Sequence, residues 1–370
     1  MALKYNRGLR VMLRRYALMD KLYNEVQVII NKINFDDIWK GFSKFKFGLY
    51  DDSNVYFSDG TIPIDNRFLG NTAIEYNGEI IAIWQIYNPL EEDAELLASN
   101  LVHEMFHAFQ RSKNESRFPN DLIMLNYPET IVNSKIKHIE HQLLVKAYLS
   151  KSIDQRKEYL KKFMSIRKYR RELMGDIINQ EFLIETIEGM AEYAGCMALK
   201  QISTEKYNIR IYNYIDNLMA VDSRFFNHRR MLYFSGTIFC LLMESNKIDF
   251  WHQIGKNNTS LFGIVSDSVK AEAPSFDNEN SELMYHLIEH KKNKKGAFDY
   301  FLKTHHEIVT KEYTICGYDP MNMEKMNHRI LCSNFIMLTD EMKNDPIFIK
   351  GPIMLLLKKD SNNQVYSYIK

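Results

Sequence analysis

A predicted hairpin restricts the fold of this chain more than any other feature. Residues 72–76 and 79–87 are rich in β-branched and aromatic side chains and flank Asn77-Gly78. A type I′ turn needs positive φ at both central residues, which Asn-Gly tolerates best. The sequence therefore predicts two antiparallel strands, and short strands at 45–50 and 55–57 are expected to join them in a small antiparallel sheet.

A helix is predicted directly after this hairpin. Asn88 is expected to be its N-cap and Pro89 to lie in its first turn, with acidic residues near the positive end of the helix dipole. Apolar residues at three- and four-residue spacing then continue to about Gln110. The helix is expected to pack on the sheet through this apolar stripe.

The rest of the chain is predicted to be mainly helical, with strands near its end. Helices are expected at 1–42, at 131–199 with a break at Gly175-Asp176, at 231–244 and at 282–290. Strands are expected at 335–338 and 352–357. The predicted fold class is α+β in three consecutive parts: an N-terminal lobe at 1–112, a helical lobe at 113–310 and a small C-terminal segment at 311–370.

Composition and charge argue against several classes of protein. With 48 basic and 47 acidic residues, the net charge of +1 gives no general attraction to nucleic acid or to an anionic membrane. A basic run at 156–171 is expected to be the solvated face of a helix. No apolar run approaches the roughly eighteen residues of a membrane span. The four cysteines are widely spaced, which suits a reducing compartment, and a cytoplasmic protein is expected.

The predicted helix contains a pattern with direct chemical meaning, His103-Glu104-Met105-Phe106-His107. Residues four apart lie one turn above each other on a helix, so both imidazoles can point at one zinc ion. Glu104 lies beside them, where it can take a proton from a water molecule that attacks a carbonyl group. The pattern predicts a Zn²⁺-dependent hydrolase.

These residues resemble the zincin superfamily of metallopeptidases. Gln110 and Lys113 stand where the metzincin branch has glycine and histidine. A later segment, residues 188–193 (Glu-Gly-Met-Ala-Glu-Tyr), resembles the E-G-x-A-x-Y element of the gluzincin branch. The resemblance implies a zincin-like fold in which Glu188 is the third zinc ligand, separated from His107 by a long helical insertion.

Three acidic residues besides Glu188 enter this hypothesis, namely Glu181, Glu185 and Glu192. Glu185, Glu188 and Glu192 share one face of a largely apolar helix by their spacing, which favours a nearby cation. Glu192, and with it Glu185, is expected to support the site from behind the ligands. Glu181 and Glu185 remain alternatives to Glu188 as the third ligand.

Two weaker correspondences concern the substrate. Residues 233–236, Tyr-Phe-Ser-Gly, resemble the Y-x-x-G element of aminopeptidase-like gluzincins, which implies that Tyr233 stabilises the oxyanion. Residues 73–75, Ala-Ile-Glu, loosely resemble an element that binds a free amine, which makes Glu75 a candidate substrate-binding residue. An extended peptide could also pair with the strand beside the metal helix.

Two further histidine pairs are alternative candidates for a metal-binding motif. Residues 286–290 fit H-x-x-E-H, the inverted zinc motif, but they run directly into the basic segment 291–295, which would disfavour a dication. His138 and His141 lie three apart in a polar helix and are expected at the surface. Both pairs are therefore weaker candidates for a metal site than the motif at His103.

The leading prediction is a zinc-dependent peptidase that acts on a peptide or protein substrate, without nucleic-acid or membrane partners. In this prediction His103, His107 and Glu188 bind the metal and Glu104 is the general base. The alternative is a non-catalytic binding or regulatory protein on a zincin scaffold. The oligomeric state is not predicted.

Overall fold

The computed structural model describes residues 2–256, 258–267, 269–275, 281–340 and 345–370, with side chains from residue 13 onward. The helices are α1 (Ala2–Ile30), α2 (Phe35–Ile38), α3 (Ala94–Ser112), α4 (Asp121–Met124), α5 (Ile131–Leu149), α6 (Ile153–Met174), α7 (Ile177–Ile202), α8 (Thr204–Met219), α9 (His228–Ser245), α10 (Leu261–Ser266) and α11 (Ser281–Thr304). The strands are β1 (Phe47–Tyr50), β2 (Asn54–Phe57), β3 (Gly60–Pro63), β4 (Thr72–Tyr76), β5 (Glu79–Gln85), β6 (Ile308–Tyr318), β7 (Met323–Met326), β8 (Arg329–Cys332), β9 (Phe335–Thr339), β10 (Ile347–Lys350), β11 (Ile353–Leu357) and β12 (Gln364–Ile369).

The chain forms two compact units, and each unit is built from separate segments. The first unit comprises Met1–Phe118, Glu185–Asp216 and Tyr233–Leu261. The second comprises Pro119–Ile184, Asn217–Leu232 and Phe262–Lys370. This division differs from the three consecutive parts expected at 1–112, 113–310 and 311–370, because the chain enters each unit more than once. The α+β class agrees with the prediction.

The sheet of the first unit is mixed rather than purely antiparallel. Its strand order is β3-β2-β1-β5-β4, and β1 pairs with β5 in parallel while the other neighbours are antiparallel. The expectation of an antiparallel sheet was therefore wrong for one pair. Four successive reversals of direction leave β5 running the same way as β1, so placing them side by side makes a parallel pair.

The hairpin prediction is confirmed, including its turn. β4 and β5 pair from Thr72↔Ile83 to Tyr76↔Glu79, with φ of 52° at Asn77 and 80° at Gly78. These values match the positive φ that a type I′ turn requires. Helix α3 packs on both strands of this hairpin, as predicted.

Helix α3 begins later than predicted. Its N-cap is Asp93, whose carboxylate accepts hydrogen bonds from the backbone N–H groups of Glu95 and Leu96. Asn88 instead accepts a hydrogen bond from the N–H of Leu90 within a preceding turn. A charged cap at Asp93 satisfies two orphan N–H groups, which explains why the helix starts there rather than at Pro89.

The second unit contains most of the predicted helical region, and Gly175 breaks it as expected. Gly175 has φ of 81° and ends α6. The basic run predicted to be a solvated face is only partly so, since Arg167 and Arg170 of α6 are fully buried. Both guanidinium groups contact the carboxylate of Glu140 on α5. A buried carboxylate accounts for this burial, because a charge removed from water needs a partner.

The histidines of α5 are also buried, which corrects their expected surface position. His138 is 6% exposed and His141 is fully buried. The helix looks polar in sequence because Lys137 and Glu140 alternate with them, but these charges are buried as well. Their partners are on α6 and α7, which no local pattern of α5 reveals.

The C-terminal region is a larger sheet than the two predicted strands. It has seven antiparallel strands in the order β10-β9-β6-β12-β11-β8-β7. Apolar side chains from β6, β8, β9, β11 and β12 form its core. Helix α11 likewise extends fourteen residues beyond the predicted end at His290, through the basic segment to Thr304. Within the described part of the chain, no helix is long and apolar enough to cross a membrane.

Candidate metal centre

Helix α3 presents the predicted motif at the inner side of the first unit. Leu97, Leu101 and Met105 bury its apolar face. His103 and Glu104 are each only 7% exposed. The rings of His103 and His107 lie 4.8 Å apart between centroids, as one helical turn requires. Polar side chains buried this close together need hydrogen-bonding partners. Helices α7 and α8 provide these partners.

Small residues allow α7 to approach α3 closely. A Cβ at Gly195 would lie 3.0 Å from the carbonyl oxygen of Ser99 and 3.4 Å from Cβ of His103. The Ser99 hydroxyl donates a 2.8 Å hydrogen bond to the carbonyl of Gly195. Trp39 packs edge-on against Phe106 of α3 and Tyr193 of α7. This packing brings the acidic face of α7 to the two imidazoles.

Helix α9 approaches α7 in the same way. A Cβ at Gly189 would lie 2.5 Å from Cα of Gly236, and one at Gly236 would lie 2.6 Å from the carbonyl oxygen of Glu185. Neither position has room for a side chain. The contact fixes α7 on both sides at the level of Glu188.

Three ligand-type atoms converge at this point. Nε2 of His107 lies 3.1 Å from Nε2 of His103 and 3.1 Å from Oε2 of Glu188. Nε2 of His103 lies 3.6 Å from the same carboxylate oxygen. Among the described residues, these three form the one group of histidine, cysteine or acidic side chains compact enough to hold a metal ion.

The dimensions of this triangle are compatible with a bound metal ion. Ligands about 2.0–2.1 Å from a tetrahedral zinc ion lie roughly 3.3 Å from one another. The three observed separations are 3.1, 3.1 and 3.6 Å, so a circle through the atoms has a radius of about 1.9 Å. The three atoms would therefore be able to hold one metal ion together.

Gln110 determines which nitrogen of His107 is available. The Gln110 side-chain N–H donates a 3.0 Å hydrogen bond to the carbonyl of Ile187, which turns its oxygen towards Nδ1 of His107 at 2.8 Å. Nδ1 must then carry the proton and donate it to that oxygen. The lone pair of Nε2 is left pointing at His103 and Glu188.

Glu192 does the same for His103. Nδ1 of His103 donates a 2.8 Å hydrogen bond to Oε2 of Glu192. The other oxygen of Glu192 accepts a hydrogen bond from the Tyr214 hydroxyl, and Arg210 lies 3.9 Å from it. A carboxylate behind a ligand histidine is the usual support of a zinc site. Glu192 therefore contacts His103 directly, and its role in supporting a metal ligand stays a prediction.

Comparison with protein-family models, with curated proteins and with solved structures gave no match to this chain.

The electrostatics of the group favour a cation. Burial lowers the pKa of His103, but hydrogen bonds to Glu188 and Glu192 outweigh it and raise this pKa to about 10. Burial raises the pKa of Glu192, whereas its bonds to His103 and Tyr214 and the charge of Arg210 bring it down to about 2. Positive charge placed between these carboxylates is therefore strongly stabilised.

Glu104 lies next to the group without belonging to it. Its side chain is buried, and this burial raises its pKa above the ordinary value, while the adjacent His103 and His107 act in the opposite direction. A buried carboxylate next to the two histidines can accept a proton from a molecule bound near them.

The two residues predicted to contact the substrate, Tyr233 and Glu75, lie in different surroundings. The ring of Tyr233 stacks flat on His103, with centroids 5.8 Å apart and planes 4° from parallel. Glu75 is exposed on β4 and is not part of the ligand group. The oxyanion role of Tyr233 and the amine-binding role of Glu75 remain predictions.

The two alternative ligands are engaged elsewhere. Glu185 is buried and accepts a 2.5 Å hydrogen bond from the Ser235 hydroxyl of α9. Glu181 lies in the second unit, where its carboxylate pairs with Lys137 and Arg170. Glu188 is the residue of the three that joins the histidines.

The competing motif on α11 does not gather a comparable group within the described residues. His290 contacts Glu129 at 3.2 Å, and Lys294 contacts the same carboxylate oxygen at 3.0 Å. A lysine that shares this carboxylate neutralises it, which disfavours a dication here.

Sequence reasoning missed three supporting residues. Gln110 lies three residues after His107, so it shares a helix face with it and could have been recognised from spacing alone. Arg210 and Tyr214 of α8 carry no such signal. Their one-turn spacing is visible in the sequence, but their packing against Glu192 depends on the tertiary fold.

Proposed function

We propose that this protein is a zinc-dependent hydrolase of peptide bonds, with a site similar to that of the gluzincins. The observation that carries the proposal is the convergence of His103, His107 and Glu188, with both Nε2 atoms directed inward. Buried polar and charged groups need hydrogen bonds or a counter-charge, and a bound cation would supply that charge here.

Three residues of the chain have separate roles in the proposed hydrolysis. A zinc ion at this position would polarise a carbonyl group and lower the pKa of water to about 7. Glu104 takes the proton from the attacking water and can pass it to the leaving amine. Gln110 and Glu192 hold the two imidazoles in the orientation and tautomer that metal binding needs.

Strand β4 offers a surface for an extended peptide. β4 is the last strand on its side of the sheet. The N–H of Ala82, opposite Ala73, donates to the carbonyl of Lys46, the residue before β1, so Ala73 and Ala82 form a non-hydrogen-bonded pair. The backbone groups of Ala73, and of Glu75 two residues later, therefore point away from β5. Peptides commonly bind by pairing with such an edge.

The cysteines are compatible with the proposed cytoplasmic location. All four, Cys196, Cys240, Cys316 and Cys332, are free. A reducing compartment keeps thiols in this state. The substrate in this proposal is a peptide or a protein. The proposal includes no nucleic-acid or membrane partner.

The experiment that tests the proposal is hydrolysis of a diverse peptide library by the zinc-loaded protein, with cleavage read by mass spectrometry. Glu104→Gln should keep zinc and lose about 10²–10⁴-fold in rate, the usual contribution of a general base. Glu95→Gln, on the same helix but away from the motif, should keep full activity. Full activity in Glu104→Gln would contradict the mechanism. A wild-type protein that binds zinc but cleaves nothing would favour a non-catalytic binding role.

A further inference from the structure

A cationic side chain lies between the metal helix and the free edge of the sheet. Arg111 follows His107 by four residues on α3, one helical turn towards the C-terminus. Its Nη1 donates a 2.6 Å hydrogen bond to the carbonyl oxygen of Ala73 on β4. Because this carbonyl faces away from β5, the guanidinium lies at the open side of β4.

The charge of Arg111 lacks the partner that neighbouring arginines have. Arg117 pairs with Glu115 at 2.7 Å, and Arg210 lies near Glu192. Among the described residues, Arg111 has no acidic side chain within ion-pair distance, and the carboxylate that acts on it electrostatically is Glu104. Partial burial lowers its pKa, which reflects the cost of leaving this cation without a counter-ion.

The guanidinium keeps donors for another group. It has five N–H donors in a planar fork, and the hydrogen bond to Ala73 uses one of them. The residue as a whole remains exposed at the surface. A carboxylate is the group that matches this fork best, because it accepts two parallel hydrogen bonds and supplies the missing charge.

We propose that Arg111 is a specificity-determining residue that binds a carboxylate of the substrate, either its C-terminal carboxylate or an acidic side chain. The inference rests on the proposed function, since it assumes that a peptide lies along β4 beside the metal centre. Arg111 binds and positions the substrate and takes no part in the chemical step.

The helix sets the distance between the reacting bond and this carboxylate. Arg111 lies roughly 6 Å along the axis from His107, from a rise of about 1.5 Å per residue. An extended peptide advances about 3.3–3.6 Å per residue. The preferred carboxylate should therefore lie about two residues from the carbonyl group at the metal.

The test uses short neutral peptides that carry a metal-binding hydroxamate at one end. In the first series the other end is a carboxylate or a carboxamide, one, two or three residues away. In the second series the end is a carboxamide and an internal residue is Asp or Asn. Affinities for the zinc-loaded protein are measured by isothermal titration calorimetry in wild type, Arg111→Met and Arg111→Lys. Lys113→Met, an exposed change of the same charge two residues away, is the matched control.

The expected result is at least a tenfold preference for the carboxylate member of one series in wild type and Lys113→Met. This preference should disappear in Arg111→Met and be reduced in Arg111→Lys, while the neutral probes bind all four proteins equally. The series that shows the preference identifies the source of the carboxylate. Equal binding of acid and neutral probes to wild type, or a preference that survives in Arg111→Met, would overturn the role of Arg111 and leave the metal centre standing. Failure of every hydroxamate to bind would overturn the metal centre and the inference together.

Discussion

At the residue scale, the site depends on two hydrogen bonds that lie behind the ligands. Each imidazole has its Nδ1 committed, that of His103 to Glu192 and that of His107 to Gln110. These bonds hold the rings and leave both Nε2 atoms facing Glu188. Metal affinity should therefore depend on residues that never touch the metal.

Replacement of Gln110 by leucine removes one of these bonds. Gln110→Leu should weaken zinc binding by about 10–100-fold, the usual effect of losing a group that orients a ligand. The affinity is measured by competition with a chromogenic chelator. Gln155→Leu, at an exposed position of α6, should bind zinc like wild type. Unchanged affinity in Gln110→Leu would show that His107 needs no such support.

Replacement of Glu192 by glutamine tests the other bond. Glu192→Gln keeps the size of the side chain but removes the charge that accepts the Nδ1 proton of His103. Zinc affinity should again fall by about 10–100-fold. Glu205→Gln, an exposed change on α8, is the control. Wild-type affinity in Glu192→Gln would mean that the charge of Glu192 does not contribute to zinc binding. The contacts of Tyr214 and Arg210 with this carboxylate would then only fill space.

Much of this site could be predicted from the sequence, but not all of it. His103, Glu104 and His107 are set by one helical spacing, and the resemblance around Glu188 indicated the partner helix. Tyr214 could not be predicted, because α8 reaches Glu192 only through packing of the whole unit. The free charge of Arg111 was also invisible, since an arginine near a helix end is ordinary in sequence.

At the element scale, contacts between glycines determine where α7 lies. Gly189 and Gly236 bring α7 against α9, and Gly195 brings it against α3. Glu188 lies directly before the first of these contacts on α7, and Glu192 lies between the two. A change in helix spacing here should therefore alter both stability and metal binding.

A pair of alanine substitutions tests this dependence. In Gly236→Ala the new methyl group would lie 2.6 Å from the Glu185 carbonyl oxygen, so the free energy of unfolding should fall by about 1–3 kcal/mol or more. Gly296→Ala on α11 meets no atom within 4 Å and should stabilise by about 0.5–1 kcal/mol. Both values come from urea unfolding. Equal effects of the two substitutions would contradict the close packing of α7 and α9.

The elements themselves were predicted unevenly. The hairpin and the break at Gly175 carry strong local signals, because both need backbone conformations that few residues adopt. The start of α3 was misplaced because Asn88-Pro89 and Asp93 are both good starting signals, and only the latter caps the helix. The seven-stranded sheet was largely missed because its strands alternate weakly, and its core forms from strands distant in sequence.

At the scale of the whole molecule, the second unit contains a network of buried charges. In the second unit Lys137, Glu140, Arg167, Arg170 and Glu181 are all buried. They form ion pairs that join α5, α6 and α7. No local pattern predicts this, since the sequences of α5 and α6 are each typical of a polar, solvated helix.

The buried histidine beside these charges predicts a pH dependence of stability. Burial lowers the pKa of His141 well below its usual value, and the charges of Lys137, His138 and Arg167 act in the same direction, against Glu181. The folded chain therefore keeps His141 neutral, while the unfolded chain takes up a proton below about pH 6.5. The free energy of unfolding should be greatest above that pH and fall below it, by up to about 1.4 kcal/mol per pH unit from this residue.

His141→Leu should remove that contribution. Urea unfolding at pH 8, 6.5 and 5 measures the slope for wild type, His141→Leu and the exposed control His306→Leu. We expect a smaller loss of stability at pH 5 in His141→Leu than in the other two proteins. Parallel losses in all three would show that His141 is not held neutral in the folded state.

The central claim is that His103, His107 and Glu188 hold one zinc ion, and metal content tests it most directly. Purified wild type, His107→Ala, Glu188→Ala and Glu104→Gln are equilibrated with zinc, freed of loosely bound metal and analysed by elemental mass spectrometry. The account predicts one zinc per chain in wild type and Glu104→Gln, and loss of that zinc in His107→Ala and Glu188→Ala. A wild-type protein without zinc, or equal zinc in all four proteins, would contradict it.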